Sequence, residues 1–220
     1  MSLGTLYSFK DNTRTVCLLE LARRLNLQVD LVETYPHKFP AELAAKFPLQ
    51  KLPVFIGSNG LELSELVAIL KYFYEVGKQN DTELLGAINA KEEAEIWQWI
   101  GYVNSDIVTP SVIRPWLGMC RGATPYEEKP FKESSGKALG VLKKFNDMLI
   151  DRTFLVGNRF TIADLVVGSM LRLFYRFIVD PEQRSKLPHL TRYYVTMFHQ
   201  GNLSEIIPLE LIPSVVIAKN

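Results

Sequence analysis

The chain holds two cysteines and three histidines among its 220 residues. Cys17 and Cys120 lie far apart, with neither metal-binding nor redox spacing. Their apolar flanks read as buried thiols in a reducing compartment. His37, His189 and His199 are too scattered for a cluster, so no metal is expected. No apolar run approaches the roughly 18 residues that span a bilayer. The N-terminus has no basic stretch leading into an apolar core, which argues against a secretory leader and for a cytoplasmic location. Excess charge of one sign is missing too: Lys and Arg total 25, Asp and Glu 24. That balance leaves no footprint for nucleic acid or an anionic membrane. A glycine-rich phosphate loop is also lacking, which excludes nucleotide-driven work by this chain.

What is present is a hydrophobic content of 47% over a length that makes one large domain or two small ones. The first part alternates strand and helix. Residues 5–9 read as a strand. Val16, Leu19, Ala22 and Leu25 recur at helical spacing, with Glu20, Arg23 and Arg24 between them. Residues 29–32 read as a second strand. Residues 34–47 are rich in proline and charge, with room for a short helix at 41–46 that Pro48 ends. Then comes Lys51-Leu52-Pro53-Val54-Phe55-Ile56, a Gly57-Ser58-Asn59-Gly60 turn, and Leu61-Glu62-Leu63-Ser64-Glu65. Residues 54–56 and 61–63 are expected to form a hairpin. A helix follows from Ser64 or Glu65, with its stripe at Leu66, Ile69, Leu70 and Phe73 and its end near Gly77. The order is βαβ, short helix, ββα.

Residues 77–88 read as a linker, and everything beyond reads as helix. Asn89 to Glu92 forms a capping box ahead of a stripe at Ile96, Trp99, Ile100, Val103 and Ile107. Pro110 and Pro115 are expected to bend or interrupt that helix. Thr124-Pro125 reads as the start of the next, whose stripe is Ala138, Leu142, Phe145 and Leu149. Thr161 and Asp164 form a stronger capping box, with Phe160 and Leu165 as its staple. Residues 187–200 supply a further stripe at Leu190, Tyr194 and Met197 or Phe198. Two prolines, Pro208 and Pro213, argue against a single helix in the apolar tail 206–218, which is expected to pack back on the body.

The Pro53 hairpin running into an acid at a helix start resembles the second half of a thioredoxin-like domain of the glutathione S-transferase superfamily. Thr161-Ile162-Ala163-Asp164, after Phe154-Leu155-Val156-Gly157, matches that superfamily's buried helical cap. The resemblance implies a thioredoxin-like βαβαββα domain over residues 1–78 and an all-helical domain over 88–220. It implies a cis bond before Pro53. A narrower resemblance is to the transferase-like region of fungal elongation factor 1-gamma. It rests on Gly4-Thr5-Leu6-Tyr7, Phe47-Pro48-Leu49, Leu84-Leu85-Gly86, Asn104-Ser105-Asp106, Gly122-Ala123-Thr124-Pro125-Tyr126 and Pro188 to Tyr194. The gamma subunit carries a lysine-rich linker and a second domain after that region. Neither follows here, and Lys219 is the only late basic residue of an apolar tail, so a short paralogue is expected.

A transferase of this kind must hold a thiolate, and a thiol of pKa about 8.5 needs donors or positive charge aimed at it. The resemblance places Tyr7, Asn12 and Thr13 at the catalytic position. Asn12 is either an amide donor to sulfur or a helix N-cap. Tyr7 is either catalyst or mid-strand core. Arg14 anchors a glutathione carboxylate or pairs on the surface. For glutathione itself the resemblance implies Arg14, Lys51, Leu52, Pro53, Glu65 and Leu66, with Gln50 beside them. The Leu52 backbone would meet the cysteinyl part and Glu65 the γ-glutamyl ammonium. Leu66 stands where active transferases have a serine, a loss of roughly 1.5–3 kcal/mol of charge-assisted hydrogen bonding. Glu65 also reads simply as an acid in a first helical turn. Two functions follow. The first is an elongation factor 1-gamma-like accessory module of translation that needs no cofactor and docks the guanine-nucleotide exchange subunit. The alternative is a transferase that conjugates glutathione to small electrophiles. Either is expected to be a homodimer, with the helix at 66–73 or Trp97 and Trp99 at its interface.

Overall fold

A computed structural model describes residues 2–203 and 207–217, leaving aside the side chains of 110 and 111. Ile206, Ala218 and Lys219 of the expected tail lie outside the described residues. The chain divides into two compact units, Met1–Ile88 and Asn89–Asn220.

The first unit runs β1 (Gly4–Ser8), α1 (Thr13–Arg24), β2 (Val29–Glu33), α2 (Ala41–Lys46), β3 (Val54–Gly57), β4 (Glu62–Ser64) and α3 (Leu66–Gly77). This is the thioredoxin-like βαβαββα order. The sheet order is β2-β1-β3-β4, with β1 parallel to β2 and antiparallel to β3. Leu6 faces Phe55, and Phe55 faces Leu63. Gly4 opens β1 at φ 154, where a Cβ would come within 2.3 Å of the Ile56 carbonyl oxygen. One sheet face is sealed by Leu6, Phe55, Leu18, Leu21, Ile69, Leu70 and Phe73, all fully buried. Tyr7, Leu52 and Ile56 pack with Leu43, Phe47 and Val54 in a separate cluster.

The face of α1 differs from the expected stripe. Leu19 is only half-buried, while Cys17, Leu18 and Leu21 are fully enclosed. Glu20, read as one of the polar residues between, is buried as well. Arg23 and Arg24 each donate to it, at 2.7 and 2.6 Å, and Arg24 reaches on to Glu83 at 2.5 Å. Two guanidinium groups within one helical turn let the Glu20 carboxylate stay inside.

Among the described residues the second unit is all helical: α4 (Ala90–Tyr102), α5 (Pro110–Cys120), α6 (Glu128–Met148), α7 (Ile162–Phe177), α8 (Pro181–Lys186) and α9 (Pro188–Gln200). Asn89 caps α4 through the Glu92 N–H at 2.9 Å, and the Glu92 carboxylate holds Arg159 at 2.7 Å. The stripe from Ile96 to Ile107 is buried, its last turn wound as a π-helix over Val103–Ile107. Pro110 starts α5 rather than bending α4. Pro115 lies inside α5 without interrupting it. The fully buried Trp116, donating through Nε1 to the Val112 carbonyl at 2.8 Å, holds that turn together.

Thr124-Pro125 does not start α6, which begins three residues later behind Glu127. The Ala123 and Thr124 N–H groups instead fold back on the Gly118 carbonyl at 2.8 and 3.3 Å. The α6 stripe is fully buried as read. So is the Thr161–Asp164 box: both bonds form, and Asp164 also accepts from Leu155 N–H and the Tyr193 hydroxyl. The tail, as described over 207–217, forms no helix and packs back on α7 and α8.

Candidate functional site

The predicted residues all belong to the first unit, where the loops after β1 and before β3 flank the starts of α1 and α3. Asn12 is the N-cap of α1. Its Oδ1 accepts the Arg14 N–H at 3.0 Å, and its Nδ2 donates to Ser8 Oγ at 3.3 Å. Both ends of the amide are thus engaged by this chain's own groups. Thr13 follows at the first helical position and is buried. Tyr7 is half-buried in the cluster with Leu43, Phe47 and Val54.

Sequence reasoning passed over Ser8. It is fully buried at the end of β1, and Thr15 Oγ1 donates to its Oγ at 2.6 Å. The signal was its inward place in the alternation of β1. Ser8 ties the strand end, the Asn12 cap and the first turn of α1 into one hydrogen-bonded unit.

Arg14 lies largely inside. Burial lowers its pKa, and the neighbouring Glu65 and Cys17 oppose that shift. The fold therefore brings Arg14 and Glu65 together, two residues 51 positions apart. Cys17 donates its thiol to the Arg14 carbonyl at 3.1 Å, and burial pushes that thiol up to about 12. It stays protonated and is no nucleophile at neutral pH.

Glu65 precedes α3 with φ 69 and ψ 126, a left-handed conformation for a residue with a Cβ. Such a conformation costs on the order of 1–3 kcal/mol. The Glu65 side chain is exposed, whereas Leu66 next to it is buried. Leu66 therefore turns its side chain to the core and offers only its backbone at the helix start. The Leu52–Pro53 bond is cis. Pro53 is buried, Leu52 half-buried, and Gln50 and Lys51 exposed. Among the described residues the Leu52 N–H and C=O make no hydrogen bond within the chain. An unpaired backbone step beside an exposed acid and a recessed guanidinium suits a zwitterionic peptide-like ligand. The backbone can pair as an added strand, and the acid can take an ammonium.

Each expected interface surface is part core and part accessible: Ala68 and Lys71 of α3 are exposed. Leu66, Ile69, Leu70 and Phe73 are buried. Trp99 is 6% exposed, tilted against Phe145 and covered by the Arg152 guanidinium, while Trp97 is half-buried. In the helical unit an open cavity of about 430 Å³ is lined by Met148, Arg152, Phe154 and Leu155, and by none of the predicted site residues.

Residues 2–75 match the family model of the glutathione S-transferase N-terminal domain, and residues 100–201 that of the C-terminal domain. A putative glutathione S-transferase of Schizosaccharomyces pombe is 65% identical over 219 residues, covering 100% of both chains. This chain belongs to the glutathione S-transferase family. It is also kin to the transferase-like domain of elongation factor 1-gamma. The crystal structure of that domain from Saccharomyces cerevisiae is 26% identical with a TM-score of 0.78, covering 100% of both chains. A glutathione S-transferase of Methylobacillus flagellatus, solved with glutathione bound, shares the fold at 19% identity and a TM-score of 0.72, covering 94% of this chain and 100% of that one.

Proposed function

We propose that this chain binds glutathione and conjugates it to small electrophiles. The observation that carries the reading is Glu65: exposed, held in a left-handed backbone conformation at the start of α3, and near enough for its charge to oppose the effect of burial on Arg14. Strain at an exposed acid serves no packing purpose, and it sets the carboxylate beside the unpaired Leu52 backbone loop. In this reading Glu65 takes the γ-glutamyl ammonium and the Leu52 backbone pairs with the cysteinyl part. Arg14, Lys51 and the Leu66 N–H meet carboxylates. Asn12, with Thr13 and Tyr7 beside it, supplies what polarity the thiolate receives. The full-length likeness to a putative transferase supports this reading over an elongation-factor role.

Calorimetric titration with glutathione, paired with conjugation of a generic aryl halide, tests it. Binding is expected, and Glu65→Ala should weaken it at least about tenfold, the worth of one charge-assisted hydrogen bond. No heat of binding and no rate above the uncatalysed reaction would sink the proposal.

A second reading is favoured by one observation. The Asn12 amide is already committed to Ser8 and the Arg14 N–H, and the hydroxyl donor at Leu66 is gone. A site so equipped holds glutathione better than it activates it. The chain would then act as an elongation factor 1-gamma-like module that docks the guanine-nucleotide exchange subunit. Pulldown at native salt should recover that subunit, and its absence removes the reading. Both readings include a homodimer, with a light-scattering mass twice the 25.1 kDa of one chain.

A further inference from the structure

The two ends of the Asn12 amide are held differently. Its Oδ1 accepts the Arg14 N–H at 3.0 Å, and its Nδ2 donates to Ser8 Oγ at 3.3 Å. The first bond fixes which end is which, because a reversed amide would turn a donor toward the Arg14 N–H. An amide nitrogen carries two hydrogens. One goes to Ser8. Among the described residues the second meets no acceptor within this chain, and Asn12 is only half-buried.

Ser8 is fully buried, so its own hydroxyl does not reach a ligand. Its Oγ takes the Asn12 N–H and, at 2.6 Å, the Thr15 hydroxyl. Both lone pairs of that oxygen are then used. Thr15 is fully buried as well, in the first turn of α1. The Ser8 carbonyl accepts the Thr34 N–H at 2.9 Å, which ties the strand end to the residue after β2. A helix cap needs only the Oδ1 bond, and side chains with no amide donor cap equally well. The Ser8–Thr15 pair therefore adds something a cap does not require. It stops rotation about the last bond of the Asn12 side chain, which is otherwise broad. What it fixes is the direction of the second N–H.

We propose that Ser8, braced by Thr15, is a positioning residue for glutathione conjugation: it locks the Asn12 amide so that the second N–H is held ready for the thiolate sulfur. This rests on the conjugating reading given above. A donor fixed before the reaction costs no reorganisation when the thiolate forms, whereas a freely turning amide does. Ser8 touches neither sulfur nor electrophile and acts only through Asn12.

The test reads the thiol pKa of bound glutathione, from the ultraviolet absorbance of its thiolate, and the pH profile of aryl halide conjugation. Wild type should hold the thiol pKa below that of free glutathione. Ser8→Ala should raise it by about one pH unit, which is about a tenfold loss of thiolate and of turnover near neutral pH. KM for glutathione should change less than about twofold, since Glu65 and the Leu52 backbone are untouched. The deficit should close at high pH, where the thiol ionises unaided; a shortage of folded protein would lower the rate equally at every pH. Thr15→Val should move the profile the same way and Thr15→Ser should restore it, so a folding failure of Ser8→Ala does not end the test. In the Asn12→Ala background Ser8→Ala should move the thiol pKa no further. A wild-type thiol pKa equal to that of free glutathione removes the conjugating reading and this inference with it. A lowered wild-type value that Ser8→Ala and Thr15→Val leave unchanged, or a shift just as large in the Asn12→Ala background, overturns the positioning role alone.

Discussion

Asp164 is fully buried and accepts from the Leu155 N–H, the Thr161 N–H and hydroxyl, and the Tyr193 hydroxyl at 2.9–3.0 Å. Burial pushes its pKa from 3.8 up to about 6 against the pull of those bonds. The folded state therefore takes up a proton before the unfolded chain does. The stability this adds is complete below about 3.8 and is lost as pH rises through about 6. Against Asp164→Asn, which removes the titration, the wild-type advantage should grow by up to about 3 kcal/mol as pH falls across that window. At pH 7 the substitution should cost about 2–4 kcal/mol, because the new amide turns a donor toward a donor. Urea unfolding at stepped pH measures both, and an advantage that shrinks on acidification would refute the assignment.

Asn12 allows capping and catalysis to be separated. Aspartate caps a helix as well as asparagine does but cannot donate to Ser8 Oγ, so Asn12→Asp should cost about 0.5–1.5 kcal/mol of stability. A carboxylate beside the thiolate position would repel it and raise the thiol pKa. Turnover with an aryl halide should then fall at least about tenfold, with the pH profile moved to higher pH. Unchanged turnover would leave Asn12 with the cap alone.

The segment from Leu52 to Phe73 was legible from the sequence because its signals are local: a proline, a turn cluster, an acid and a helical stripe. The α6 and α7 stripes and the Thr161–Asp164 box were legible for the same reason. Glu20 was not, because its burial depends on Arg24 being sealed at 3% exposure and on Glu83, 63 residues away. Nor did a proline at 115 or a threonine at 124 reveal that tertiary burial of Trp116 and the Gly118 carbonyl would decide the local structure. The nearness of Glu65 to Arg14 was hidden likewise, since each residue alone reads as ordinary helix-end charge. The buried Glu20–Arg24 pair makes a direct prediction. Glu20→Ala leaves Arg24 inside with its main partner gone and should cost about 3–5 kcal/mol. Glu20→Ala combined with Arg24→Met removes the buried guanidinium as well and should recover much of that loss. Chemical denaturation of the single and double variants measures the coupling, and additive losses would contradict it.

Glutathione bound to the first unit should show in the unfolding of the whole chain. A ligand that binds only the native state adds about 2.7 kcal/mol at a hundred times its dissociation constant. For a chain of this length that is a rise in melting temperature of roughly 5–10 °C. The two compact units determine how the rise appears. If they melt together, one transition moves by the full amount. If they melt apart, only the transition of residues 1–88 moves, because every proposed contact lies there, and that of residues 89–220 stays put. Glu65→Ala should abolish the shift in either case while leaving the ligand-free melting temperature level or slightly higher, because an exposed acid with φ 69 is not there for packing. Scanning calorimetry of both chains with and without glutathione distinguishes these outcomes. A shift that survives Glu65→Ala would place the ligand elsewhere and remove the residue on which the functional reading rests.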